Sequence, residues 1–96
     1  RLDYVGVAAL EFFVVDDALT ANEFAPRVHN SGHWTIEGAV TSQFSNHIRA
    51  ITDRKLGSPA ARGHAIMINL IGDIPSAALA IAKGHLHDYG KAPRVG

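Results

Sequence analysis

Residues 4–27 read YVGVAALEFFVVDDALTANEFAPR. The run 4–15 is almost continuously apolar and rich in Val, Phe and Tyr, which predicts a strand buried on both faces. Asp16-Asp17 signals a turn, and residues 19–24 read as the returning strand of a hairpin. Ala25-Pro26 closes it, because proline cannot donate to a sheet ladder. Glu11 interrupts the first strand and Glu23 ends the second. Ionising a buried carboxyl is costly unless something positive compensates it. A three-residue turn pairing Val15 with Leu19 would set Glu11 directly opposite Glu23, with both side chains on one face. Two carboxylates at that distance repel unless they share a proton or a cation. Oxygen ligands suit magnesium, which takes one or two carboxylates and completes its shell with phosphate oxygens and water. A two-residue turn would instead place Asn22 across from Glu11 and send Glu23 to the other face. A carboxylate merely exposed at a strand end is the plain alternative.

Beyond the proline, residues 27–35 (RVHNSGHWT) crowd Arg27, His29, Asn30, Ser31 and His33 into a polar loop. Arginine offers a planar fork for carboxylate or phosphate, and histidine exchanges protons near neutrality. A cation site followed by such a loop is what phosphoryl or acyl-phosphate chemistry needs, although a solvated polar loop has the same composition. Residues 36–52 predict a helix, with Val40, Phe44, Ile48 and Ile51 on one face. Residues 53–63 form a connection, and 66–71 (IMINLI) read as a second buried strand. Ser76 is placed to cap a helix over 77–83 ended by Gly84 in a left-handed conformation. Residues 85–89 read as a last strand. The fold class expected is α+β, antiparallel strands with two helices. Lys91 and Arg94 are a cation pair able to hold a phosphate. His29, His33, His85 and His87 could supply four nitrogens to zinc, but their spacings match no closed zinc module and there is no cysteine. His47 and His64 read as surface or helix residues, and Trp34 as a packing anchor for its loop.

Composition bounds the rest. The chain has 96 residues, 47% of them apolar and 19% charged, which excludes disorder and low complexity. Nine basic residues cancel nine acidic ones, so no global positive field exists to gather nucleic acid or anionic lipid. No apolar run approaches the ~20 residues of a membrane span. Cysteine is absent, which fits a reducing, cytoplasmic setting and removes thiolate chemistry. So high an apolar content for a short chain predicts surface that belongs against a partner, as a homodimer or by self-association. The chain opens on Arg1 and stops after a basic stretch, and it reads as a single partial domain spanning residues 1–96.

The run Asn22-Glu23-Phe24-Ala25-Pro26-Arg27-Val28-His29-Asn30-Ser31-Gly32-His33-Trp34-Thr35 carries a resemblance. With Thr41-Ser42-Gln43-Phe44, His47-Ile48-Arg49-Ala50-Ile51 and His85-Leu86-His87 before Tyr89-Gly90-Lys91, it is similar to the N5-carboxyaminoimidazole ribonucleotide synthase family. These are ATP-grasp ligases of purine biosynthesis, also called the ATPase subunit of phosphoribosylaminoimidazole carboxylase. The resemblance covers nearly the whole chain and implies the C-terminal part of an ATP-grasp fold. It implies ATP and Mg2+ as cofactors, with bicarbonate and aminoimidazole ribonucleotide as substrates. Residue by residue, Glu11 and Glu23 match magnesium carboxylates, and Asn22 with Glu23 the nucleotide side. Arg27 and His29 match the groups that hold bicarbonate or carboxyphosphate during catalysis. Asn30 and Ser31 match the same substrate loop, and Lys91 and Arg94 a site for the substrate phosphate. The family's N-terminal nucleotide-like domain and ATP lid have no counterpart in these residues, so the piece alone is expected to be inactive. Another ATP-grasp carboxylase, a formate-dependent transformylase and a non-catalytic dimerisation module are the alternatives.

Overall fold

The computed structural model describes residues 2–81 and 83–90; Lys91 and Arg94 lie outside the described residues. Two strands, β1 (Ala9–Val15) and β2 (Ala18–Ala25), form an antiparallel hairpin. Val15 faces Ala18, so the turn has two residues, Asp16 and Asp17, and both are left-handed at φ 48° and 62°. That is the primed geometry which matches the twist of paired strands, and aspartate is among the few non-glycine residues that tolerate it. The three-residue turn is therefore not formed.

The first strand starts at Ala9 rather than at residue 4. Gly6 sits at φ 139°, where a Cβ would also meet the Tyr4 hydroxyl at 2.7 Å, so the extended run is interrupted. The segment before β1 is instead tied down by side chains. The Tyr4 hydroxyl lies 3.0 Å from the Val7 carbonyl and 2.9 Å from that of Pro26, and the Val7 N–H donates to His47 Nδ1 at 3.1 Å. His47, read from sequence as a surface or helix residue, thus links the entry of the hairpin to a helix.

The predicted helix over 36–52 is two helices, α1 (Thr35–Gly38) and α2 (Gln43–Ile51). Between them Ala39 is extended (φ −122°, ψ 160°) and bridges Ala61. The Val40 N–H donates to the Ala60 carbonyl (2.9 Å) and the Arg62 N–H to that of Gly38 (2.7 Å). Ser42 then restarts the helix, its hydroxyl accepting from the Ser45 N–H at 3.1 Å. Val40 falls outside the helix, while Phe44, Ile48 and Ile51 keep the i, i+4, i+7 spacing of one face.

Burial on both faces of the hairpin does not occur: Phe13, Val14, Val15 and Leu19 are exposed. Ala25, Ala39 and His29 are the buried residues among those described. Residues 66–71 have no ladder partner, and Ile66 and Ile71 are each 91% exposed. A β-prone sequence becomes a strand only beside another, and the hairpin does not reach it. The helix α3 (Ser76–Leu79) is a single turn with Pro75, not Ser76, in the capping position, and Gly84 has no positive φ. Residues 85–89 likewise form no ladder. The class is α+β, with two antiparallel strands and short helices. The accessible surface is 8087 Å², against about 5,400 Å² for a compact chain of this mass. No helix among the described residues is long and apolar enough to cross a membrane.

Candidate functional site

A bulge decides the placement of the two carboxylates. From the turn the register runs Val15–Ala18 to Phe12–Ala21, and then shifts so that Glu11 pairs with Glu23, Leu10 with Phe24 and Ala9 with Ala25. Asn22 is the extra residue on β2. Bulges of this kind re-aim side chains next to functional sites. The short turn alone would have put Asn22 opposite Glu11; the inserted residue restores the acidic pair to one face. Asn22 stays close, donating from Nδ2 to Glu11 Oε2 at 3.2 Å.

The loop after Pro26 folds back over this face. Arg27 donates from one guanidinium nitrogen to Glu23 Oε1 (3.2 Å) and from the other to the Val28 carbonyl (3.1 Å). Both side chains of the Arg27–Glu23 pair are about half exposed, and such pairs contribute under ~1 kcal/mol. That is weak enough for Arg27 to be redirected to an anion. His29 is only 8% exposed, with Nδ1 3.5 Å from Glu11 Oε1 and Nε2 3.7 Å from Glu23 Oε2. The Ser31 N–H donates to Nδ1 at 3.3 Å and the Ser31 hydroxyl lies 3.0 Å from it. Acceptance at Nδ1 leaves the proton of the neutral ring on Nε2, directed toward Glu23. One side-chain atom from each of Glu11, Glu23 and His29 lies within 4.8 Å of the others, close enough for the two carboxylates to share one cation beside the imidazole.

The remaining histidines do not join this group. His33 packs edge-on against Phe44 and Tyr89, with ring centroids 5.0 and 5.8 Å away. His87 Nε2 lies 2.9 Å from Glu37 Oε1, with His85 Nδ1 at 4.0 Å. The four-histidine zinc arrangement is therefore not assembled. Instead the Glu37 pairing draws residues 83–89 toward α1 and closes one side of a cleft of about 1060 Å³, lined by Arg27, Asn30, His33, Glu37, His85 and His87 among others. Trp34, which leads into α1, also lines this cleft.

Sequence reasoning passed over Gln43. Its side-chain oxygen accepts from the His29 N–H at 3.1 Å and its side-chain nitrogen donates to the His29 carbonyl at 2.7 Å. Its one signal is its place in the Thr41-Ser42-Gln43-Phe44 run that shares the family resemblance, which assigns it no role.

Comparison with known proteins adds the context of this geometry. The ATP-grasp domain family matches residues 1–44, and the phosphoribosylaminoimidazole carboxylase C-terminal domain matches residues 65–96. The N5-carboxyaminoimidazole ribonucleotide synthase of Pseudomonas aeruginosa is 61% identical over all of this chain. The chain belongs to this synthase family. The Escherichia coli synthase is 53% identical, again over the whole chain. In both, the chain spans only 27% of the relative's length. The crystal structure of the Thermus thermophilus synthetase superposes with a TM-score of 0.84 at 63% identity, covering 97% of this chain and 26% of that one. The Aspergillus clavatus synthase, solved in complex with ADP and 5-aminoimidazole ribonucleotide, gives 0.67 at 43% identity, covering 81% and 22%. The ATP-grasp match spans both acidic residues and the loop from Arg27 to His33.

Proposed function

We propose that these residues form the metal and anion side of an ATP-grasp ligase that carboxylates 5-aminoimidazole ribonucleotide in purine biosynthesis. The observation that supports it most is the bulge-restored pair Glu11–Glu23 with His29 and Arg27 folded over it, within a family of which one member was solved with ADP and that ribonucleotide. ATP phosphorylates bicarbonate to carboxyphosphate with release of ADP. The exocyclic amine of the ribonucleotide then takes the carboxyl group, releasing phosphate.

Each residue has a share in this scheme. Glu11 and Glu23 would hold Mg2+, since carboxylate oxygens suit that ion. When bound, the ion neutralises charge on the phosphates during transfer. Asn22 orients Glu11 and meets the nucleotide side beside Glu23. Arg27 exchanges its weak pairing with Glu23 for the bicarbonate or carboxyphosphate anion, which its planar fork matches. His29, with its proton on Nε2, donates to the same anion, and Ser31 keeps it in that tautomer. Asn30 lines the cleft where the ribonucleotide would enter, and Lys91 and Arg94 hold its phosphate. Residues 1–96 act as one partial domain, and nucleotide clamping is left to the rest of a longer chain, in keeping with the quarter of their relatives' length that they cover. The exposed apolar residues of 66–81 pack against that remainder or a second copy, in a cytoplasmic enzyme.

The test is turnover by a full-length enzyme containing these residues. ADP release is expected to require bicarbonate and aminoimidazole ribonucleotide together for full rate, with mass spectrometry showing the ribonucleotide heavier by one carboxyl group. The 96 residues alone are expected to release none. ADP release that ignores bicarbonate, or that formate supports equally, would rule the reading out.

A further inference from the structure

We infer that Gln43 is a positioning residue that clamps the anion-holding loop over the carboxylate pair, an inference that rests on the reading of Arg27 and His29 above. Gln43 opens α2, and its amide engages both backbone groups of His29, accepting from N–H at 3.1 Å and donating to C=O at 2.7 Å. This is the pair of hydrogen bonds that a strand residue exchanges with its neighbour, supplied here by a side chain, so it fixes the peptide units on both sides of the His29 Cα. The clamp is itself anchored. The Gln43 backbone N–H donates to Thr35 Oγ1 at 2.9 Å, and the Thr35 hydroxyl donates to the Gly32 carbonyl. The same His29 carbonyl accepts from the Gly32 N–H at 2.9 Å and lies 2.8 Å from His33 Nδ1.

Two features make glutamine the residue that fits. A neutral amide presents a donor and an acceptor together at every pH, which neither carboxylate nor imidazole does. A Cβ at position 32 would sit 2.5 Å from Gln43 Oε1, so Gly32 is what lets the amide reach His29. Gln43 acts through His29: releasing those two peptide units would swing the imidazole off Glu11 and Glu23 and drag Arg27, two residues earlier, with the loop. The nucleotide contacts would be little disturbed.

Full-length enzyme carrying Gln43→Met, similar in length but without the amide, tests this. Its KM for bicarbonate is expected to rise roughly tenfold or more while its KM for ATP stays within about twofold. Gln43→Glu keeps an acceptor for the His29 N–H but turns a carboxylate oxygen toward the His29 carbonyl, and is expected to show the same split at least as strongly; it decides the matter should the methionine variant not fold. An unchanged bicarbonate KM, or equal rises for both substrates, would overturn the clamp. If the unmutated enzyme shows bicarbonate-dependent ADP release and the variants match it, only the clamp falls. If the unmutated enzyme shows no such release, the proposed function falls and the clamp with it.

Discussion

Glu23→Gln in the full-length enzyme is expected to lower turnover by roughly a hundredfold or more, with the thermal midpoint moved by only a few degrees. Glu23 is about half exposed, so its carboxylate contributes little to folding. The isosteric amide keeps the volume and the β2 backbone. What it loses is charge at the one place where Glu11, Glu23 and His29 converge within 4.8 Å. The variant is expected to regain part of its rate as magnesium is raised, since a weakened site is filled by mass action. Full activity at limiting magnesium would show that Glu23 holds no metal. A large loss of stability would show instead that the acidic pair is part of the fold.

Arg27→Lys is the second severe change, expected to cut bicarbonate-dependent ATP hydrolysis about a hundredfold. Lysine retains the charge and can still approach Glu23, so the exposed ion pair is replaceable. It cannot present two parallel N–H groups to a planar anion, and only a step that needs the fork would register the difference. Steady-state ADP release against bicarbonate concentration measures it. A variant with unchanged rate at every bicarbonate concentration would leave Arg27 as an ordinary surface cation.

The hairpin and its acidic pair were legible because they depend on local pattern: apolar runs, a turn signal and a closing proline. Turn length was not legible. Aspartate serves both two- and three-residue turns, and the register came out with Glu11 facing Glu23 only because Asn22 bulges out, a choice made by the whole hairpin. The helix break at Ala39 was hidden because the apolar spacing continues through it. The bridge to Ala61 that stops the helix comes from 22 residues downstream. Residues 66–71 have the composition of a strand, yet an unpaired strand is not stable, so composition named a tendency and tertiary context withheld the partner. Gln43 eluded the sequence for a related reason. Its importance lies in meeting His29 14 residues away, and nothing in its own neighbourhood announces that.

Crystals of the full-length enzyme grown with Mn2+ and an ATP analogue offer the most direct measurement of whether the two acidic residues share an ion. Anomalous scattering is expected to place manganese between Glu11 and Glu23, about 2.1 Å from an oxygen of each. A manganese held by nucleotide phosphates, with neither carboxylate in its shell, would contradict the paired-carboxylate site.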